Sequence, residues 1–317
     1  MTQSPTNKTT IFGMELGVDI TPLTKKIIEF RRKISKRNLL LEFGNTYINY
    51  AESKFNDKSI VFTKIKQTDI DEKAIEKGSP TDPKQMSNFL KQIINEDNIV
   101  ATRTAVVIPP EAAFNKTIYL PENILLEDAR SYILDTKSGF QFPIPLKNTD
   151  FDLTPLNIFR RKNKKIENAF FLTSIQKKLT DNIIETLALS NLELIRLEIA
   201  FTSQVRLLSK EIESLNFDEC IILLELTNEC TYVSIISQSS IIEVHRIATI
   251  REYPLSNSKS NKVDMENYLP ISYLDLRILI NELSEKISLL RSRLGKNIIK
   301  NIYVNGNNSS HKGIEVI

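Results

Sequence analysis

The sequence predicts an α/β protein of two lobes, with a small α+β subdomain inserted in the first. Three observations carry this. A strand–strand–strand unit followed by an amphipathic helix begins near Asn38 and recurs near Asp218. A compact stretch between them mixes a strand, a helix and a hairpin. The 317 residues are 41% hydrophobic and 26% charged, which is enough apolar material for two cores and too much for a disordered chain.

Residues 1–10 are polar and are expected to be disordered. Residues 22–36 read as a basic helix, with Leu23, Ile27, Phe30 and Ile34 on one stripe. This helix either packs on the body with its Lys and Arg solvated, which is the favoured reading, or touches acidic lipid headgroups. Residues 1–37 together form a polar, basic extension carrying net charge +5, against +3 for the whole chain.

From Asn38 the texture changes. Leu39–Phe43, Tyr47–Glu52 and Ser59–Lys64 alternate as strands, with turns at Gly44-Asn45-Thr46 and Asn56-Asp57. Met86, Phe89, Leu90, Ile93 and Ile94 mark an amphipathic helix. Thr104–Ile108 is a buried strand, stopped by Pro109-Pro110.

The inserted subdomain spans about residues 105–175. Phe114–Leu120 reads as a strand. Pro121 is expected to open a helix with Leu125, Ala129, Tyr132 and Ile133 on one face, and Gly139 to end the region. Asp150–Phe159 and Asn168–Ser174 form a hairpin around a basic loop, Arg160–Lys165. That loop reads as a solvated turn rather than a nucleic-acid site, since no aromatic stacking platform accompanies it. A helix carrying Leu179, Ile183 and Leu187, a strand Glu193–Glu198 and a helix over Ala200–Ser209 complete the first lobe, 38–217.

The second lobe, 218–317, opens with the apolar strand Cys220–Leu226. Thr231–Ile236 and Ile241–Ile247 form a hairpin, and residues 254–269 a polar loop. Leu276, Leu279, Ile280, Leu283, Ile287, Leu290 and Leu294 stripe a long helix over 272–294, with Gly295 placed to cap it. The strand Ile298–Val304 follows, ending in Asn305-Gly306-Asn307-Asn308.

Composition excludes several functions. No run reaches the roughly 18 apolar residues of a membrane-spanning helix, and the N-terminus lacks the apolar run of a signal peptide. Both point to a cytosolic chain. Two cysteines, Cys220 and Cys230, and two histidines, His245 and His311, fit no zinc motif; the cysteines read as buried free thiols. A globally basic nucleic-acid binder is also excluded, because residues beyond 37 carry net charge −2.

Specific residues carry a resemblance. Ala105-Val106-Val107-Ile108-Pro109-Pro110-Glu111-Ala112-Ala113-Phe114, then Lys116-Thr117-Ile118 and Leu120-Pro121, resembles the PilM family pattern of a strand leading into a small subdomain. Phe140-Gln141-Phe142-Pro143-Ile144-Pro145-Leu146 is similar to that family's aromatic-proline element. Leu290–Gly295 followed by Ile302-Tyr303-Val304-Asn305-Gly306 is similar to its long helix and strand exit. The resemblance covers about residues 38–317 and implies the actin-like ATPase (ribonuclease H-like) fold, shared with the cytoplasmic domain of GspL and with FtsA. FtsA would carry a C-terminal membrane-targeting helix, which is not visible here. The family usually continues with another helix beyond Gly306, so the C-terminus is expected to be shortened.

The resemblance also places a nucleotide site. Such folds grip phosphates with two glycine-containing loops, and an Asp supports Mg²⁺. The first loop corresponds to Glu42-Phe43-Gly44-Asn45-Thr46, with Glu in place of Asp. The second corresponds to Glu225–Thr231, which has no glycine and carries Glu229 where phosphates would sit; its polar candidates are Thr227, Asn228 and Thr231. The third, a glycine run against the adenosine in such folds, corresponds to Asn305-Gly306-Asn307-Asn308, with one glycine and with Asn305 and Gly306 as its candidates. Two readings stand: weak binding of Mg-ATP through Gly44, Asn45, Thr46, Thr231 and Gly306, or ordinary strand-to-turn residues of a degenerate site. The second is favoured, since Thr227 carries a Cβ where the family has none and Glu229 repels a triphosphate. No residue stands out to position a hydrolytic water.

The resemblance implies a cytoplasmic scaffold component of the type IV pilus assembly complex, at the inner face of the inner membrane. In that role it binds the cytoplasmic tail of a PilN-like membrane protein, with segment 105–146 as the binding region and no nucleic-acid partner. The alternatives are an active actin-like ATPase, which needs intact phosphate loops, or a GspL-like scaffold of type II secretion.

Overall fold

The computed structural model describes residues 10–11, 14–15, 36–44, 46–56, 59–71, 73–135, 138, 148–226, 231–238, 241–247, 273–294, 298–306 and 309. Several expected features lie outside these residues. They are the basic helix up to residue 35, the aromatic-proline stretch Phe140–Leu146, the polar loop 254–269, and the capping Gly295.

Within the basic extension, β1 (Thr10–Ile11) pairs antiparallel with β2 (Met14–Glu15). The chain then divides into two compact units. One runs to Pro109 and regains Lys178–Glu198; the other holds Pro110–Lys177 and the residues from Ile199 onward.

The first unit is built on β3 (Arg37–Phe43), β4 (Tyr47–Asn56) and β5 (Ser59–Asp69), an antiparallel meander. Alternation in β3 buries Leu39, Leu41 and Phe43 on one face. A two-residue hairpin follows, β6 (Ile75–Glu76) and β7 (Ser79–Pro80). Its turn residues Lys77 and Gly78 both have positive φ, the geometry that matches the twist of paired strands. Helix α1 (Pro83–Glu96) starts where Asp82 caps it: the carboxylate accepts from the Lys84 and Gln85 amides at 2.9 and 3.1 Å, and proline takes the first turn. Its buried face is Met86, Leu90, Ile93 and Ile94; Phe89, expected on the stripe, instead lines a surface pocket. Strand β8 (Arg103–Ile108) then returns parallel to β3.

In the second unit, β9 (Ala113–Pro121) runs straight through Pro121. Pro121 therefore ends a strand and does not open a helix. Helix α2 covers Leu126–Leu134 and has no side-chain cap at Leu125. Ala129 and Ile133 are its buried face, whereas Leu125 is 65% exposed. The hairpin β10 (Thr149–Lys162) and β11 (Lys165–Gln176) completes a sheet in the order β10-β11-β9. Pro155 is tolerated because β10 is the edge strand. The core here is Ile118, Leu120, Ala129, Ile133, Phe151, Leu153, Phe170 and Leu172.

Helix α3 (Lys177–Leu189) follows, and strand β12 (Glu193–Ile199) completes the first unit's sheet, ordered β12-β8-β3-β4-β5. The Ser79 hydroxyl and the Asn182 amide tie the small hairpin to α3, donating to Leu179 and Pro80 carbonyls at 3.0 and 2.8 Å. The expected helix over 200–209 is two: α4 (Ala200–Leu207) and α5 (Ser209–Glu213), broken at Leu208.

The second unit's larger sheet consists of β13 (Glu219–Leu226), β14 (Thr231–Ile236), β15 (Ile241–Ile247) and, after helix α6 (Tyr273–Leu294), the parallel strand β16 (Ile298–Asn305). Every residue of β13 after Glu219 is buried, as a strand covered on both faces requires. Leu279 and Leu283 of α6 close this core and Ile287 packs against it; Ile280, expected on the same stripe, is 39% exposed.

The two larger sheets share one plan. A first strand pairs antiparallel with the next, and a strand after the helix joins its other side in parallel. Segment 110–177 groups with 199–317. The physical ties join residues far apart in the sequence. The Thr117 hydroxyl donates to the Ile242 carbonyl, Ile158 packs against the β13 core, and Phe171 and Phe201 meet edge to face at 6.4 Å between centroids.

Candidate functional site

In the first unit the candidate loop is the turn from β3 to β4. Glu42, near the end of β3, accepts a hydrogen bond from the Asn49 amide at 2.9 Å. The Gly44 amide donates to the Tyr47 carbonyl at 3.0 Å, and the Thr46 carbonyl accepts from Ile70 at 2.9 Å. The Tyr47 ring lies over Gly44 so closely that a β-carbon there would come within 2.4 Å of it. Glycine at 44 thus makes room for a tyrosine ring, and its amide hydrogen is used within the turn. Asn45 lies outside the described residues.

In the second unit, β13 and β16 end side by side, with Glu225 opposite Asn305. Gly306 follows at φ +97, packed on the Leu226 backbone. Glu225 is 9% exposed and accepts from Gln204 at 2.9 Å. Thr231 opens β14 with 1% exposure, paired with Leu226. Thr227 and Asn228 lie outside the described residues, as does Glu229. The fold thus gathers Glu42, Gly44 and Thr46 at one turn, and Glu225, Thr231, Asn305 and Gly306 at one sheet end.

A carboxylate with four hydrogen-bond donors around it belongs to neither set. Glu52, 1% exposed, sits on the β4 face that also carries Ile48 and Tyr50. One oxygen accepts from the Val100 and Ala101 amides at 2.8 and 3.0 Å. The other accepts from Arg37 at 2.7 Å and Thr63 at 2.8 Å. Burial is the largest single influence and opposes ionisation, but these bonds together outweigh it and hold the Glu52 pKa below the ordinary glutamate value. The alternation of Ile48, Tyr50 and Glu52 is the signal that could have found it. The group joins β4 to the chain after α1 through the Val100 and Ala101 amides, which gives it a structural role.

A surface pocket of about 230 Å³ lies at the N-terminal end of α1, with Ile70, Ala74, Met86 and Phe89 as its apolar lining and Asp69, Asp71 and Asp82 among its polar groups. Among the described residues no group of three or more His, Cys, Asp or Glu could hold a metal ion, and no helix is long and apolar enough to cross a membrane.

No family model matches the sequence, and no curated protein matches it. Solved structures do match. The PilM-PilN type IV pilus biogenesis complex aligns over 87% of this chain and 83% of its own, at 15% identity and a TM-score of 0.67. A Bacteroides thetaiotaomicron protein with an actin-like ATPase fold aligns over 89% and 95%, at 11% identity and a TM-score of 0.43. The cytoplasmic domain of EpsL, an inner membrane component of the type II secretion system of Vibrio cholerae, aligns over 74% and 80%, at 10% identity and a TM-score of 0.39. The chain therefore shares its fold with the PilM-PilN type IV pilus biogenesis complex, with two larger sheets of one plan and a smaller three-stranded sheet between them in sequence.

Proposed function

We propose that this protein is a cytoplasmic scaffold of a pilus assembly complex at the inner face of the inner membrane, binding the cytoplasmic tail of a PilN-like membrane protein. The observation that carries the reading is the fold likeness to the PilM-PilN complex over 87% of the chain. An extended tail suits such a scaffold, because its backbone can pair with a strand edge while side chains fill pockets. Segment 105–146, which includes β9 and α2, is the proposed binding region.

The nucleotide site is proposed to be degenerate, with Mg-ATP binding weak or absent. Supporting this, the Gly44 amide donates to Tyr47 and the Tyr47 ring lies over Gly44, where a phosphate-binding loop needs free amides and an open approach. Gly306 packs on the Leu226 backbone, which gives it a structural reason to be glycine.

Calorimetric titration separates the two halves of the proposal. Mg-ATP is titrated into the full chain, then a synthetic peptide copying the cytoplasmic tail of a PilN-like protein from the same organism. Heat from the peptide alone is the expected result. Micromolar binding of Mg-ATP would overturn the degenerate site, and absence of peptide binding would overturn the scaffold.

A further inference from the structure

The tip of the β10–β11 hairpin concentrates charge that the fold does not use. Five cations fall within Arg160–Lys165, interrupted only by Asn163. Arg160 has internal partners: it pairs with Glu167 at 2.6 Å and lies 3.9 Å over the Tyr119 ring. The other four, Arg161, Lys162, Lys164 and Lys165, are exposed and have no acidic partner among the described residues.

Two features of the tip cost stability. Lys162 and Lys165 are directly opposite across the strands, a like-charge pairing that destabilises a hairpin. Lys164 holds φ +64 in the turn, where glycine would be relaxed and a lysine is strained. Just below the tip, Phe159 is 60% exposed. Local rules broken together at one exposed place mark a functional surface more often than a structural one.

The arrangement suits a flat anionic surface. Along the strands Arg161 and Lys162 point to opposite faces, and Lys164 sits in the turn itself, so the charge surrounds the tip. A nucleic-acid strand needs a stripe of cations with successive stacking rings, whereas here Phe159 is the one open ring and Tyr119 is covered by Arg160. A bilayer with acidic headgroups meets an end-on tip, attracts each cation and accepts an aromatic ring at the headgroup level. We propose that the 159–165 hairpin tip docks on anionic phospholipid headgroups. This goes beyond the scaffold reading and does not depend on it, since tail-peptide binding and vesicle binding are measured separately.

The test is co-sedimentation of the full chain with vesicles of phosphatidylcholine alone or with about one-quarter phosphatidylglycerol. The protein is expected to pellet only with the acidic vesicles and to be released at about 0.5 M salt. The triple variant Lys162→Gln/Lys164→Gln/Lys165→Gln should lose about a hundredfold in partitioning with its thermal unfolding no lower. Phe159→Ser should lose about tenfold, a loss that high salt does not mimic. Failure of the wild-type protein to pellet with acidic vesicles overturns the proposal. So does equal pelleting of the triple variant, which would move the contact elsewhere, for example to the basic segment before residue 37. A single-stranded oligonucleotide bound more tightly than the acidic vesicles at the same salt, and lost in the triple variant, would replace lipid with nucleic acid.

Discussion

Gly306 turns its α-carbon onto the backbone of Leu226: a β-carbon at 306 would lie 2.3 Å from the Leu226 carbonyl oxygen, at a φ of +97. Neither backbone can yield without breaking the β13–β16 pairing. Gly306→Ala should therefore cost about 1–3 kcal/mol from backbone strain alone, read as a lower thermal midpoint. At Gly44 the obstacle is the far end of the Tyr47 ring, which can swing away, so Gly44→Ala should cost less, under about 1 kcal/mol. Equal losses at the two positions would contradict this account.

Glu52 makes stability depend on acidity. Its pKa is lowered in the folded protein, so the unfolded chain binds the proton more readily. The stabilisation is complete above the ordinary glutamate range and is lost as pH falls through that range toward the depressed folded value. Glu52→Gln keeps the shape but turns one acceptor oxygen into a donor facing N–H groups or Arg37. It should cost about 1–3 kcal/mol at neutral pH and flatten the decline of the thermal midpoint below the glutamate range. A variant whose acid profile matches the wild-type protein would show that other carboxylates dominate.

The larger sheets were legible because their strands alternate or run apolar, and because each is followed by a helix with a clear stripe. Boundaries set by subtler chemistry were not. Pro121 suits the first turn of a helix as well as the end of a strand, and the real start of α2 has no side-chain cap to announce it. The break at Leu208 involves neither glycine nor proline. At the candidate site, the spacing around Gly44 and Gly306 was readable, but the Tyr47 ring over Gly44 and the Leu226 backbone under Gly306 are made by folding. The grouping of 110–177 with 199–317 rests on contacts such as Thr117 with Ile242, more than a hundred residues apart, which no local pattern reports.

Cys220 is 1% exposed within the β13 core and forms no disulfide. In a Cys230→Ser variant the single remaining thiol should resist a maleimide reagent in buffer and react fully in denaturant. Reagent access then follows opening of the β13 sheet, so the labelling rate reports that opening. Rapid labelling under native conditions would mean that the sheet opens far more often than its burial implies.

Lys164→Gly separates stability from surface chemistry at the hairpin tip. Asn163 and Lys164 both hold positive φ, at 52 and 64, so the turn is of the kind in which Asn-Gly is preferred. Glycine relieves the left-handed strain of a side-chain-bearing residue, and removing a cation lessens the repulsion around Lys162 and Lys165. Both effects have the same sign, and the thermal midpoint should rise by an amount equivalent to about 1 kcal/mol. If the tip meets acidic headgroups, the same substitution should weaken vesicle partitioning by several-fold while stabilising the protein. A fall in both readouts would point instead to a damaged hairpin, and a rise in stability with unchanged partitioning would remove Lys164 from the contact.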